Sequence, residues 1–97
     1  MEIRVQTLKF DADQKLLDFI DKKVSKIERF DEKISDVEVT LSLLEKPENK
    51  SVKIHAQVTG GSLVIERTGR SFEEAINECV DAMKEKIVRN KEKRSEV

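Results

Sequence analysis

The segment at residues 71–94 reads SFEEAINECVDAMKEKIVRNKEKR, and it decides the fold. Its apolar residues recur at intervals of three and four, which places them on one face of an α-helix. Ser71 and Glu74 have the spacing of a capping box, in which a hydroxyl and a carboxylate bind backbone N–H groups at a helix start. The segment therefore predicts a long amphipathic helix whose buried face carries Phe72, Ala75, Ile76, Cys79, Val80, Met83 and Ile87.

Charge is distributed unevenly along this predicted helix. As far as Asp81 its charged residues are all acidic, whereas from Lys84 onwards bases outnumber acids. Acids near the N-terminus and bases near the C-terminus also complement the helix dipole, each by about 0.3–1 kcal/mol. The gradient alone thus favours an ordinary solvated helix. A surface for polyanions requires a second basic cluster beside the first.

Length and composition limit the kind of protein. The 97 residues predict one domain, residues 1–97, with a basic tail that frays from about residue 90. A formal net charge of −1 argues against nucleic-acid binding unless the bases are segregated into a patch. The single cysteine, Cys79, fits a reducing cytoplasm and a small core hydrophobe. The sequence shows neither a signal peptide nor a membrane span.

The remaining elements are read from periodicity. Apolar and polar residues alternate at residues 1–8, 35–44, 52–58 and 63–68, which predicts four strands. Residues 11–30 have helical periodicity, with Asp11 or Asp13 as the N-cap. Gly60-Gly61 indicates a tight hairpin, because glycine supplies positive φ. The predicted order is β-α-β-β-β-α, an α+β fold.

The direction of each element follows from this order. Strands joined by hairpins alternate in direction, so both helices run opposite to the second and fourth strands. Each strand has one apolar face, which predicts a four-stranded sheet with two parallel helices packed on one face. The C-terminal ends of parallel helices lie together. This places the following bases at one end of the domain: Lys22, Lys23, Lys26, Arg29, Lys84, Lys86, Arg89 and Lys91.

The sequence contains no catalytic or metal-binding constellation. His55 is the only histidine, and its predicted place on the polar face of a strand leaves it without partners for a triad or a metal site. No helix start with a G-K-[ST] motif follows Gly60-Gly61, so this is not a phosphate loop. Tryptophan and tyrosine are absent, and the phenylalanines occupy core or core-edge positions. We expect no enzyme activity, cofactor, metal ion or small-molecule substrate, and RNA contacts through phosphates rather than stacking.

Three runs resemble a known family when they are taken together in register. They are LLDFIDKKVSKIERF at residues 16–30, DVEVTLSL at 36–43 and the helix that begins at Ser71. With the element order and the glycine hairpin, they resemble the short form of the ribosome hibernation-promoting factor family. The resemblance implies a non-enzymatic cytoplasmic protein that binds the small ribosomal subunit and its rRNA in the messenger and transfer RNA channel. There it inhibits translation and promotes hibernation under stress or in stationary phase.

The resemblance also implies which residues bind RNA. The bases of both helices contact RNA in that family, and the matching positions here are Lys23, Lys26, Lys33, Lys86, Arg89, Lys91 and Lys93. It further implies a second hibernation factor as a candidate partner, and no membrane. An alternative from a different class stays open. The chain is then a protein-interaction or regulatory α+β module that acts through the open face of its sheet.

Overall fold

The computed structural model describes residues 1–95 and confirms the predicted α+β order. The sheet strands are β1 (Glu2–Leu8), β2 (Asp36–Leu43), β3 (Lys50–Val58) and β4 (Gly61–Gly69). The helices are α1 (Gln14–Val24), a 3₁₀ helix (Ser25–Arg29) that continues it, and α2 (Phe72–Ser95). The tail that the sequence predicts to fray is helical as far as Ser95, and its last two residues lie outside the described range.

The four strands form one mixed sheet in the order β1-β2-β3-β4. β1 and β2 are parallel, with Ile3 beside Val37, and α1 forms the crossover between them. The other neighbours are antiparallel hairpin pairs. Gly60 has a φ of 86° in the turn between β3 and β4, a conformation that glycine adopts without strain. The predicted glycine hairpin is therefore confirmed.

The core lies between the sheet and the two helices. Alternate residues of β2 and β3 face the helices and are fully buried, among them Val39 and Ile54. Ile76 and Met83 of α2 pack on them and are also fully buried. Val80, which the periodicity placed on the same buried face, is only half-buried. It faces the groove between α2 and the 3₁₀ helix, because it lies at the margin of the apolar stripe.

Both helices begin at the same end of the domain. Asp13 is the N-cap of α1, where its carboxylate accepts a hydrogen bond from the backbone N–H of Leu16 at 2.8 Å. Ser71 Oγ accepts from the backbone N–H of Glu74 at 3.1 Å at the start of α2. Beside these caps, the rings of Phe10 and Phe72 stack with centroids 4.9 Å apart. The two helices are therefore parallel, as predicted.

The first helix does not continue as an α-helix to Phe30. It tightens into the 3₁₀ helix at Ser25, whose hydroxyl donates to the carbonyl of Lys22 at 3.2 Å. Such a bond to the preceding turn competes with regular helical geometry. Ile27 remains fully buried through the change, so the segment stays anchored in the core. The segment ends at Phe30, which becomes the centre of the site described below.

Candidate nucleic-acid interface

Phe30 joins the basic residues of the two helices. The ammonium group of Lys84 lies 4.8 Å from the centroid of the Phe30 ring, within the range of a cation–π contact. Lys91 Nζ donates a long hydrogen bond of 3.5 Å to the Phe30 carbonyl. Lys26 and Arg29 line the same shallow depression. We call it the Phe30 groove and define it by Lys26, Arg29, Phe30, Val80, Asp81 and Lys84.

A second group of bases lies on the opposite flank of α2. Lys86 Nζ donates a 3.2 Å hydrogen bond to the carbonyl of Val64 on β4, the edge strand of the sheet. Arg89 and Lys93 line the same side. This depression, the β4 groove, is defined by Leu63, Lys86, Arg89, Asn90, Glu92 and Lys93. The predicted bases of α2 thus share one end of the domain, but the helix divides them into two groups.

Among the predicted bases, Arg89 forms an ion pair with an acidic residue of its own helix. Its guanidinium is 2.6 Å from a carboxylate oxygen of Glu85, one helical turn earlier. Both side chains are largely exposed, at 73% and 65%, so solvent screens the pair and its contribution to stability is small. A phosphate that binds Arg89 has to compete with Glu85 or share the guanidinium with it. In the Phe30 groove the acidic residue is Asp81.

The three remaining predicted bases line neither groove. Lys23 Nζ lies 5.6 Å from the ring centroid of Phe19, one turn earlier on α1. Lys22 is exposed on α1. Lys33 is exposed in the loop after the 3₁₀ helix, where its backbone N–H donates to Asp31 at 3.0 Å. The structure therefore brings together the predicted bases of the 3₁₀ helix with Lys84 and Lys91 around Phe30.

Sequence reasoning missed the part that Phe30 takes in this arrangement. Phe30 is half-buried and packs against the core, which agrees with its predicted place at the core edge. Its contact with Lys84 joins residues far apart in sequence, and helical periodicity carries no information about such a pair. The sequence nevertheless contained a signal for this contact. An aromatic residue that directly follows the last base of one helix, with bases at the same end of a parallel helix, is placed to meet a cation.

The other polar and thiol groups give no sign of catalysis. Among residues 1–95, no three His, Cys, Asp or Glu side chains are arranged to hold a metal ion. Cys79 is fully buried and its thiol donates to the Val52 carbonyl at 3.3 Å. Burial raises the pKa of this thiol to about 12, so it stays protonated and is a poor nucleophile near neutral pH. No helix in this part of the chain is long and apolar enough to cross a membrane.

Comparison with known proteins identifies the family. A model of the family described as sigma 54 modulation protein / S30EA ribosomal protein matches residues 3–95. The chain belongs to this family. Its members are ribosome-associated factors without enzymatic activity, so the prediction that the chain is not an enzyme is confirmed.

A relative within this family supports the resemblance seen in the sequence. A protein from Azotobacter vinelandii named ribosome hibernation promoting factor is 23% identical to the chain over 96 residues. The match covers 99% of this chain and 88% of the relative. The resemblance to hibernation-promoting factors is therefore confirmed at the level of the family.

Two solved structures have the same fold. A ribosomal subunit interface protein from Coxiella burnetii superposes with a TM-score of 0.84 at 14% identity, covering 94% of this chain and 98% of the other. The N-terminal domain of Protein Y from Thermus thermophilus gives a TM-score of 0.81 at 22% identity, covering 92% and 98%. At these identities the likeness shows that the fold is shared. It does not show that individual side-chain contacts are shared as well.

Proposed function

We propose that this protein binds the small ribosomal subunit, inhibits translation and promotes ribosome hibernation under stress or in stationary phase. It acts as a single ribosome-binding domain over residues 1–97, in the cytoplasm, where ribosomes are. It makes no covalent change and silences the ribosome by occupying the channel for messenger and transfer RNA. The proposed rRNA contacts are Lys22, Lys23, Lys26, Arg29, Lys33, Lys84, Lys86, Arg89, Lys91 and Lys93.

The observation that carries this proposal is the meeting of bases from separate elements at one end of the domain. Lys26 and Arg29 of the 3₁₀ helix lie in the same groove as Lys84 of α2. Three cations around one depression, with Asp81 as the acidic residue in its lining, leave an excess of positive charge there. A polyanion with closely spaced phosphates would be attracted to such a cluster, and phosphate contacts position a protein on RNA without reading its sequence. Membership of a family described as ribosomal supports ribosomal RNA as this polyanion.

The open face of the sheet gives weaker support to the alternative, a protein-interaction module. Some of its charged residues are paired or stand opposite residues of opposite charge. Arg4 on β1 lies 2.7 Å from Asp36 and 3.8 Å from Glu38 on the neighbouring strand. Lys53 stands opposite Glu66 in the register of β3 and β4. Cross-strand neighbours of opposite charge are also typical of a sheet face exposed to solvent.

Sedimentation with purified small subunits tests the proposal. The protein is expected to travel with the subunits at low salt and to dissociate as salt rises, because phosphate contacts release counterions. In a reconstituted translation system, inhibition should be stoichiometric with ribosomes and relieved by washing. Failure to bind subunits even at low salt contradicts the proposal, and so does inhibition that persists after the protein is removed. Adding a second hibernation factor to the same gradients tests whether it is a further partner.

A further inference from the structure

We infer that Phe30 is a positioning residue of the RNA contact, and that the Phe30 groove is where one backbone phosphate binds. In this arrangement the Phe30 ring and carbonyl hold Lys84 and Lys91 against the end of the 3₁₀ helix, beside Lys26 and Arg29. The inference rests on the proposed function and adds to it a named phosphate site. It also gives a reason for an aromatic side chain in a surface that binds phosphates rather than bases.

The position of Phe30 is rigid relative to the bases that precede it. Phe30 ends the 3₁₀ helix, and its backbone N–H donates to the carbonyl of Ile27 at 3.0 Å. Ile27 is fully buried, so this end of the segment is anchored in the core. The Phe30 ring itself is half-buried and packs on the core. Lys26 and Arg29 are therefore presented from a fixed piece of backbone.

Phe30 then holds the bases of α2 at this fixed point. A free lysine side chain samples many rotamers, and binding a phosphate restricts them at an entropic cost. The contact of the Lys84 ammonium with the ring, at 4.8 Å, reduces the rotamers available before RNA arrives. The ring engages one side of the ammonium, which has three N–H donors and can still bind a phosphate oxygen. Lys91, two helical turns further along, is held by the carbonyl of the same residue.

Asp81 gives the groove an opposing charge. It is exposed and lies among Lys26, Arg29 and Lys84 in the lining of the groove. A carboxylate at this place repels a phosphate and attracts the same ammonium groups. If a phosphate binds in the groove, removing this charge should strengthen binding. If the groove has no part in RNA binding, neutralising one exposed carboxylate there should change little beyond the general effect of net charge.

The test compares the affinity of small subunits for four variants with that of the wild-type protein. Phe30→Leu keeps an apolar side chain but loses the aromatic face, and is expected to weaken binding by roughly two- to fivefold, the factor that a cation–π contact at the surface is worth. Phe30→Tyr keeps the face and should bind like the wild type. Asp81→Asn should strengthen binding about twofold or more. Glu66→Gln, on the open face of the sheet, removes the same charge elsewhere and serves as its matched control.

Two further readouts separate positioning from simple destabilisation. The salt dependence of binding should be unchanged in Phe30→Leu, because no phosphate contact is removed. In NMR spectra of the free protein, the ε-methylene protons of Lys84 should be shifted by the ring in wild type and Phe30→Tyr, and should lose that shift in Phe30→Leu. Melting temperatures establish that each variant is folded.

Three results would overturn the inference while leaving the proposed function intact. They are equal affinity of Phe30→Leu and wild type, equal weakening by the Leu and Tyr substitutions, and no difference between Asp81→Asn and Glu66→Gln. If the wild-type protein itself does not bind small subunits, the proposed function fails and the phosphate site fails with it.

Discussion

Side chains have different roles at the two ends of the helix pair. At the end where the helices begin, Asp13 and Ser71 accept hydrogen bonds from backbone N–H groups, and Phe10 stacks on Phe72. Polar groups at this end cap the helices and stabilise the fold. At the other end, Lys26 and Lys84 converge from separate elements on one groove. The helix dipole explains why each helix is basic at its C-terminus, but it does not explain why two such ends are packed together.

This comparison predicts that stability and ribosome binding separate along the molecule. Changes at the caps should alter the free energy of unfolding and leave affinity for the ribosome unchanged. Changes at the basic end should do the reverse. Changes in the core between the two ends should cause the largest loss of stability.

The largest expected effect is on stability, in the core that both ends share. Ile76 of α2 is fully buried among residues of the sheet, so Ile76→Ala should lower the free energy of unfolding by about 2–5 kcal/mol, the range for such truncations. Val80→Ala is the matched control on the same helix and should cost clearly less, because Val80 is half-buried. Denaturant titration measures both. Equal losses for the two variants would show that Val80 belongs to the core as fully as Ile76 does.

The next effect is on binding, at the basic end. Replacing Lys26 and Arg29 with alanine should flatten the slope of log affinity against log salt by about 1.4–1.8, since each phosphate contact contributes roughly 0.7–0.9. The melting temperature should change little, because both side chains are exposed. The control, Lys15→Ala with Lys53→Ala, removes the same net charge from other exposed positions. An identical change of slope in the control would mean that net charge, rather than the groove, drives binding.

Much of the fold could be predicted because it depends on local patterns. Alternation in β2 and the spacing of three and four in α2 each report which side chains are buried. Parallel helices followed from counting strand directions, so the meeting of the basic ends could be predicted as well. The N-cap could be narrowed to Asp11 or Asp13, and the structure selects Asp13.

The missing details depend on contacts that local patterns do not encode. The change to a 3₁₀ helix at Ser25 keeps Ile27 buried, so the apolar spacing looks the same in either conformation. Lys9 has a φ of 70°, which nothing in its residue type suggests. The hydrogen bond from Lys86 to the carbonyl of Val64 joins α2 to the edge strand, and periodicity does not show such a contact. These features are set by tertiary packing.

A third prediction concerns the pH dependence of stability, through Cys79. Its folded-state pKa is raised to about 12 by burial, whereas a free thiol titrates near 9. Above about pH 9 the unfolded chain loses this proton and the folded chain retains it, so unfolding becomes easier as pH rises. The contribution is fully present below pH 9 and should fall by about 1.4 kcal/mol per pH unit above it. Unfolding of wild type and Cys79→Ala between pH 8 and 10 isolates this slope, and parallel curves would contradict it.

The smallest expected effect, at the caps, helps to distinguish a stabilising role from a binding role for the basic residues. Asp13→Ala and Ser71→Ala should each lower the free energy of unfolding by about 1 kcal/mol, because each leaves a backbone N–H at a helix start without its side-chain acceptor. Neither cap lines the Phe30 groove, so affinity for small subunits should be unchanged. If the bases serve only the stability of the fold, Lys84→Ala should behave like a cap variant, with a loss of stability and no loss of affinity. If they bind phosphates, Lys84→Ala should lose affinity while retaining most of its stability, and the two ends of the helix pair will have been separated by experiment.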